Sequence, residues 1–308
     1  THTHTHTHTH TMPRPGMNAD KLCRSAVKAA SASAQPDNGG GKSTFSPMEK
    51  AVLTSVGDNM AKLHLVPPPR PGHIRHCMTS QGCCMVGKQH EANDEMHGSE
   101  HTMSQPYTAF HDTMLPVLDD AMATPGLPSG VLHGDPFLDN MLADPASGEL
   151  TAIIDWEDIA VGPYVFDVAV CIAGCCFGPD NKIDKNRLKA FLMGYTGTRM
   201  LSADERRLLP TFCKLALLCN ATWRFRNFQI HHREIDHARE SYRELYDRML
   251  DASVADAIET VMGEVASARG VVTAPNSVAM FGGGASSWWV AASLLGCLAL
   301  GFFIGRRR

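Results

Sequence analysis

The sequence predicts an α+β fold that is mostly helical, with one small β-hairpin and a C-terminal transmembrane helix. Three observations support this prediction. Short apolar runs alternate with turn-forming residues between positions 130 and 155. Helical periodicity fills residues 46–65 and extends again from 162 to 268. Near the C-terminus, residues 288–304 form an uncharged apolar stretch.

Length and composition set the first limits on function. A chain of 308 residues can bury one sizeable core or two modest ones. The formal net charge of −4 argues against a nucleic-acid-binding protein, because such proteins usually present a basic face. The 10 cysteines include adjacent and helix-spaced sets that are poorly placed to bridge one another, which indicates a reducing compartment.

Residues 1–45 are predicted to be a disordered repeat followed by a linker. Thr and His alternate through residues 1–11, and the rest of the segment is rich in Ser, Ala, Gly and Pro. The run GGGKST resembles a phosphate-binding loop, but Pro36 stands where that loop needs glycine and no strand precedes it. Because the chain opens on the repeat at Thr1, we expect the natural start to lie upstream.

Residues 46–65 predict a core-facing helix. Ser46 and Glu49 fit a capping box, and Pro47 suits the first helical position. One face of this helix collects apolar residues: Met48, Val52, Val56, Met60 and Leu63.

The next segment, residues 66–106, is predicted to be an irregular, solvated insertion. It shows no regular period and carries several Cys and His residues, so a zinc site is the alternative. Residues 107–123 predict another helix, interrupted at Pro116.

Three short apolar runs follow: GVLH, NMLAD and LTAIID. The turn-forming PASGE separates the last two and predicts a hairpin. From Gly162 to about Ala268 the pattern is helical, with a second capping box at Ser202 and Glu205. A hairpin among helices describes the larger lobe of a kinase-like fold over residues 46–268, followed by a linker at 269–287.

Polar side chains stand at the ends of these apolar runs. Phosphoryl transfer needs a carboxylate near the acceptor hydroxyl and a cation to neutralise the phosphate oxygens. Magnesium prefers a few carboxylate or amide oxygens and keeps several waters. Asp135 ends the first run, and a hairpin would bring Asn140 close to Asp155. The sequence therefore predicts one divalent ion bridging Asn140 and Asp155, beside Asp135.

The pattern H-G-D-x-x-x-x-N begins at His133, and I-I-D-W-E follows after the hairpin. Together these segments resemble the catalytic segment of the aminoglycoside phosphotransferase and choline kinase superfamily. The runs LPSGVLHGDPFLDNML, GELTAIIDWEDIAVGPYVFDVAV and MAKLHL are most similar to the homoserine kinase type II branch. The resemblance covers roughly residues 46–250.

This resemblance implies specific roles. Asp135 would be the catalytic base that accepts or orients the proton of the substrate hydroxyl. Asn140 and Asp155 would hold Mg²⁺, with ATP as the phosphate donor. His133 would brace the catalytic loop, and Asp167 would anchor that loop from the following helix. The acceptor would be a small hydroxyl-bearing amine or amino acid.

The resemblance is incomplete at the N-terminal side. The family's smaller lobe is a twisted sheet whose lysine grips the nucleotide phosphates, and neither the sheet nor the lysine is recognisable here. Two hypotheses follow: an ATP-dependent phosphotransferase whose nucleotide lobe is missing from this sequence, or a catalytically inactive, membrane-tethered binding protein.

The tail predicts a membrane anchor. Residues 288–304 span about 25 Å as a helix, and Trp288 with Trp289 suits one interface while Arg306–Arg308 suits the other. We therefore expect a C-terminal anchor that leaves the catalytic lobe in the cytosol. A short, basic-tailed anchor of this kind resembles those of mitochondrial outer-membrane proteins.

Overall fold

The computed structural model describes residues 17–18, 45–68, 126–232 and 234–270. The predicted helix at 107–123, most of the insertion at 66–106 and the apolar tail at 288–304 lie outside these residues. The prediction of a zinc site in the insertion also falls there.

Five short strands form two antiparallel sheets in the described part of the chain. Strands β3 (Met141–Ala143) and β4 (Leu150–Ile153) form the predicted hairpin, with Met141 opposite Ile153. Strand β1 (Met17–Asn18) pairs with the other side of β3. The hairpin prediction is confirmed.

The first apolar run does not join that sheet. Its residues form β2 (Ser129–Leu132), which pairs with β5 (Ala160–Pro163) so that Val131 lies opposite Val161. The sequence did not predict β5. Because β2 precedes Asp135 and β5 follows Asp155, this pairing brings the two ends of the segment that contains both residues together.

Helices make up most of the described residues. They are α1 (Pro47–Leu63), α2 (Tyr164–Cys175), α3 (Lys185–Thr198), α4 (Ala203–Phe225), α5 (Ser241–Leu250) and α6 (Ser253–Ala268). A π-helical turn, Arg226–His231, extends α4. Both predicted capping boxes are present, at Ser46 with Glu49 and at Ser202 with Glu205.

Helices α1 and α3 pack very closely. A Cβ atom on Gly57 would lie 2.1 Å from the Phe191 carbonyl oxygen, and one on Gly194 would lie 2.0 Å from the Thr54 carbonyl oxygen. Both positions therefore exclude any larger residue. On α1, Val52, Val56 and Met60 are fully buried, as the predicted apolar face requires.

Helix α2 runs through the core with almost every residue buried. Cys171, Cys175 and Cys176 are buried free thiols, as expected for small apolar residues. Burial raises the pKa of Cys171 and Cys176 well above the usual thiol range, which keeps both neutral.

The predicted fold class was wrong in including a transmembrane helix. No helix among the described residues is long and apolar enough to cross a bilayer. Helix α4 has 23 residues but carries charges in its first turns and near its end. Helix α2 is apolar but has only 12 residues, about 18 Å. The described part is a kinase-like, mostly helical fold.

Candidate active site

The catalytic loop leaves β2 through a turn that only glycine permits. Gly134 has φ of +91°, a left-handed conformation, and a Cβ atom there would lie 2.3 Å from the Asp158 carbonyl oxygen. His133, just before it, is fully buried. The chain therefore reverses sharply between the buried strand and Asp135, which places the Asp135 carboxyl at the edge of a cavity.

Asp167 anchors this loop from the first turn of α2. Its carboxylate accepts hydrogen bonds from the backbone N–H of His133 at 2.7 Å and of Gly134 at 3.0 Å. Asp167 is fully buried, so water does not compete for these bonds. The position matches the anchor expected from the resemblance.

His133 ties the loop to the end of the hairpin. Its Nε2 lies 2.9 Å from the Ile154 carbonyl oxygen, which can only accept, so Nε2 carries the proton. Its Nδ1 accepts from the backbone N–H of Asp135 at 3.3 Å. The ring packs against Trp156 with centroids 4.6 Å apart. The imidazole thus braces Asp135 on one side and the β4 end on the other.

Asn140 joins Asp135 to the hairpin. Its Nδ2 donates to the Asp135 carbonyl oxygen at 2.9 Å and to the Asp135 Oδ2 at 3.1 Å. The backbone carbonyl oxygen of Asn140 accepts from the backbone N–H of Ile154 at 2.9 Å. Asn140 therefore lies beside the residue that precedes Asp155.

Asp155 occupies a strained position at the end of β4. Its φ of 65° and ψ of 61° are left-handed, a conformation uncommon for residues other than glycine. Such strain is often found at functional sites, where surrounding structure holds a side chain in place. Asp155 is exposed, at the cavity rather than in the core.

Asp135, Asn140 and Asp155 line one cavity of about 230 Å³. Helix α4 supplies the facing residues Asn220, Trp223 and Arg224. The carboxylates around the cavity are Asp135, Asp139, Asp155, Glu157 and Asp158. The cavity is thus strongly acidic, with Arg224 as the one positive charge among its described lining residues.

Burial, together with the acidic neighbours, favours the protonated form of the Asp135 carboxyl. Burial is the main cause that raises the pKa of its carboxyl to about 7, and the negative charges of Asp158 and Asp139 add to the shift. The hydrogen bond from Asn140 acts in the opposite direction. A carboxyl with a pKa close to neutral suits a group that exchanges a proton with a substrate hydroxyl.

The donor atoms fit a magnesium ion held by few protein ligands. The side-chain nitrogen of Asn140 is engaged with Asp135, which leaves the side-chain Oδ1 for a metal in the cavity that Asp155 also lines. Across the described residues, no group of three or more His, Cys, Asp or Glu side chains is suited to hold a metal. A site of one amide and one carboxylate, completed by phosphate and water, is a usual arrangement for Mg²⁺.

Sequence reasoning missed parts of this site. Asp158 and Asn220 line the cavity without any motif that marks them, because their place depends on β5 and α4 packing. Trp223 and Arg224 of α4 also line the cavity, and no motif marks them either.

The described residues form a kinase-like lobe in which Asp167 anchors the loop that carries Asp135, and the end of the β3–β4 hairpin places Asp155 at the same cavity. A model of the phosphotransferase enzyme family matches residues 43–201, about half of the chain. The chain belongs to this family, within the aminoglycoside phosphotransferase and choline kinase-like superfamily.

Two relatives named homoserine kinase are similar to parts of the chain. Homoserine kinase of Neisseria meningitidis serogroup B is 40% identical over 85 residues, 28% of this chain and 27% of the relative. Homoserine kinase of Rhodopseudomonas palustris is 29% identical over 170 residues, 54% of this chain and 49% of the relative. The matched part of the chain thus spans 27% of the length of the first relative and 49% of the length of the second.

Among solved structures, a choline/ethanolamine kinase family protein from Mesorhizobium loti is similar at 14% identity and a TM-score of 0.49. The match covers 80% of this chain and 85% of that one.

Proposed function

We propose that this chain carries the catalytic lobe of an ATP-dependent phosphotransferase whose acceptor is the hydroxyl of a small amino acid or amine, with homoserine as the first candidate. One observation carries the proposal: Asp135, Asn140 and Asp155 line the same cavity. The relatives named homoserine kinase support the choice of acceptor.

Each residue then has a chemical task. Asp135 accepts a hydrogen bond from the acceptor hydroxyl and takes up its proton as the phosphoryl group is transferred. Asn140 and Asp155 hold Mg²⁺, which when bound neutralises the charge on the ATP phosphates. Asp167 and His133 keep the loop in place through the hydrogen bonds described above.

The charges of the cavity support a zwitterionic acceptor. The ammonium group of an amino acid suits the acidic side formed by Asp139, Glu157 and Asp158. Its carboxylate suits Arg224, whose guanidinium donates to the Ser241 carbonyl oxygen at 3.2 Å and lies 3.7 Å from Glu244. Homoserine carries both groups and a hydroxyl.

The inactive, membrane-tethered alternative has no support from the described residues. Asp135, Asn140 and Asp155, to which the proposal assigns proton transfer and metal binding, are present and share one cavity. The location of the protein in the cell stays a prediction from the sequence.

The test is phosphate transfer from ATP in Mg²⁺, by the full-length protein with its nucleotide-binding lobe, to a panel of acceptors, with homoserine and 3-aminopropan-1-ol as a matched pair that differs by one carboxylate. We expect transfer to homoserine and its loss in Asp135→Asn, by about 10²-fold or more. Asp144→Asn, in the exposed turn of the same hairpin, is the control and should transfer normally.

Arg224→Gln refines the choice of acceptor. It should raise the KM for homoserine, because the carboxylate of homoserine would lose its ion pair with Arg224. The KM for 3-aminopropan-1-ol, which has no carboxylate, should stay nearly unchanged. Transfer that persists in Asp135→Asn, or no transfer to any acceptor, would contradict the proposal.

A further inference from the structure

Behind the catalytic loop, the buried side chains of Tyr195, His64 and Asp167 and the largely buried Arg199 form one continuous line of hydrogen bonds. Arg199 lies 2.8 Å from the Tyr195 hydroxyl, and this hydroxyl lies 2.7 Å from His64 Nδ1. His64 Nε2 lies 3.3 Å from Asp167 Oδ2, the oxygen that also accepts from the His133 N–H. The line thus ends on the carboxylate that anchors the loop.

The direction of this line follows from its two ends. Arg199 can only donate, so the Tyr195 oxygen accepts there, and the Asp167 carboxylate can only accept, so His64 Nε2 carries the hydrogen. With its hydrogen on Nε2, His64 accepts the hydrogen bond of the Tyr195 hydroxyl at Nδ1. Every donor and acceptor along the line is satisfied in this one arrangement.

Packing holds the line rigid. His64 caps the C-terminal end of α1 and stacks on Tyr164 with ring centroids 4.5 Å apart. The Arg199 guanidinium also lies over the Tyr164 ring, 4.6 Å from its centre, and pairs with Glu205 at 2.8 Å. The line therefore connects the ends of α1, α3 and α4 with α2.

We propose that His64 and Tyr195 are positioning residues for the catalytic loop. They touch neither the cavity nor Asp135; they hold the Asp167 carboxylate in the orientation that receives the backbone N–H groups of His133 and Gly134. Gly134 is in a left-handed turn, so the loop depends on these two hydrogen bonds to keep Asp135 in place. The consequence for catalysis rests on the proposed function.

A pair of substitutions at His64 separates positioning from packing. The amide nitrogen of His64→Gln can occupy the place of Nε2 and donate to Asp167, whereas that of His64→Asn reaches only the place of Nδ1. Both remove the ring and its stacking on Tyr164. Gln should therefore preserve the loop where Asn does not.

Tyr195→Phe breaks the line at a different point with almost no change in volume. Tyr246→Phe is its control, because Tyr246 also packs partly buried against the core but lies on α5, away from the loop. The first substitution removes the hydroxyl that fixes the His64 ring; the second leaves the line intact.

Hydrogen exchange of the His133 and Gly134 backbone amides is the direct measurement, read against amides in the middle of α4. We expect about tenfold faster exchange at these two amides in Tyr195→Phe and His64→Asn, and a change within about threefold in His64→Gln and Tyr246→Phe. In the transfer assay, the first two variants should lose kcat with little change in KM.

Unchanged exchange at His133 and Gly134 in Tyr195→Phe and His64→Asn would overturn the inference. Equal acceleration in α4, or failure of His64→Gln to preserve the loop, would also overturn it, because both outcomes indicate a merely structural role. Exchange does not depend on turnover: if exchange changes as expected in a chain without transfer activity, the positioning role stands and the proposed function fails.

Discussion

Asp135→Asn should make the metal-free protein more stable at neutral and alkaline pH while removing its activity. Burial and the neighbouring carboxylates raise the pKa of Asp135 from 3.8 to about 7. The difference between these two pKa values corresponds to a cost of about 4 kcal/mol to the folded state when the Asp135 carboxyl is ionised. The cavity is open to solvent, and screening by water reduces this cost. We therefore expect Asp135→Asn to raise the free energy of unfolding by about 2 kcal/mol.

The pH dependence has a definite sign. The folded-state pKa lies above the unfolded-state value of about 4, so the folded protein retains a proton that the unfolded chain releases between about pH 4 and pH 7. Asp135 therefore contributes stability that is fully present below pH 4 and is lost as the pH rises through 7. Asparagine imitates the protonated form at every pH and escapes this loss.

The assay is urea unfolding in EDTA at several values between pH 4.5 and pH 8.5, followed by tryptophan fluorescence. The stability difference between Asp135→Asn and the parent should grow from near zero at the acidic end to its maximum above pH 7. Adding Mg²⁺ should shrink it, because a cation at Asn140 and Asp155 relieves the repulsion between carboxylates.

Asp144→Asn provides a control of opposite sign. Hydrogen bonds from the backbone N–H groups of Ser147 and Ala146 lower the pKa of Asp144, so ionisation favours the fold there. This variant should lose a little stability at neutral pH. The reasoning is refuted if Asp135→Asn is no more stable than the parent at pH 8.5, or if its gain does not depend on pH.

Two further predictions concern the framework of the site, and each has a matched control. Gly134→Ala should lower the free energy of unfolding by about 3 kcal/mol or more, because it adds a 2.3 Å contact with the Asp158 carbonyl oxygen to an unfavourable φ. Gly126→Ala, with a similar φ of +77° but nothing within 4 Å, should cost only about 1 kcal/mol in the same urea titration; equal losses would contradict the geometry of the turn. Glu49→Gln breaks a buried ion pair with Arg187 and should cost about 3 kcal/mol, whereas Glu264→Gln, in the exposed pair with Lys189, should leave the urea midpoint unchanged. A Glu49→Gln protein as stable as the parent would show that the buried pair contributes nothing.

Local features of this chain could be predicted from its sequence. Each capping box depends on two residues three positions apart, and the β3–β4 hairpin depends on a turn of a few residues between two apolar runs. Asn140 and Asp155 can be placed close together because the hairpin fixes their separation, and Asp135 stands only five residues before Asn140 in the sequence. Short-range geometry therefore predicts that these three side chains lie near one another.

Features that join distant segments could not be predicted in this way. His64 meets Asp167 103 positions further along the chain and Tyr195 131 positions further, and nothing in the run KLHL distinguishes a buried hydrogen-bonding histidine from an exposed one. The pairing of β2 with β5 and the approach of α4 to the cavity likewise depend on the packed fold. The transmembrane prediction relied on composition, and the described helices do not supply such a span.

The most direct test of the central claim is titration of Mn²⁺, in place of Mg²⁺, into the protein with ATP present, followed by electron paramagnetic resonance. If Asn140 and Asp155 hold the ion beside Asp135, Asn140→Ala and Asp155→Asn should each weaken Mn²⁺ binding by at least about tenfold, and Asp144→Asn should bind as the parent does. Equal Mn²⁺ affinity in the parent and both cavity variants would contradict the account.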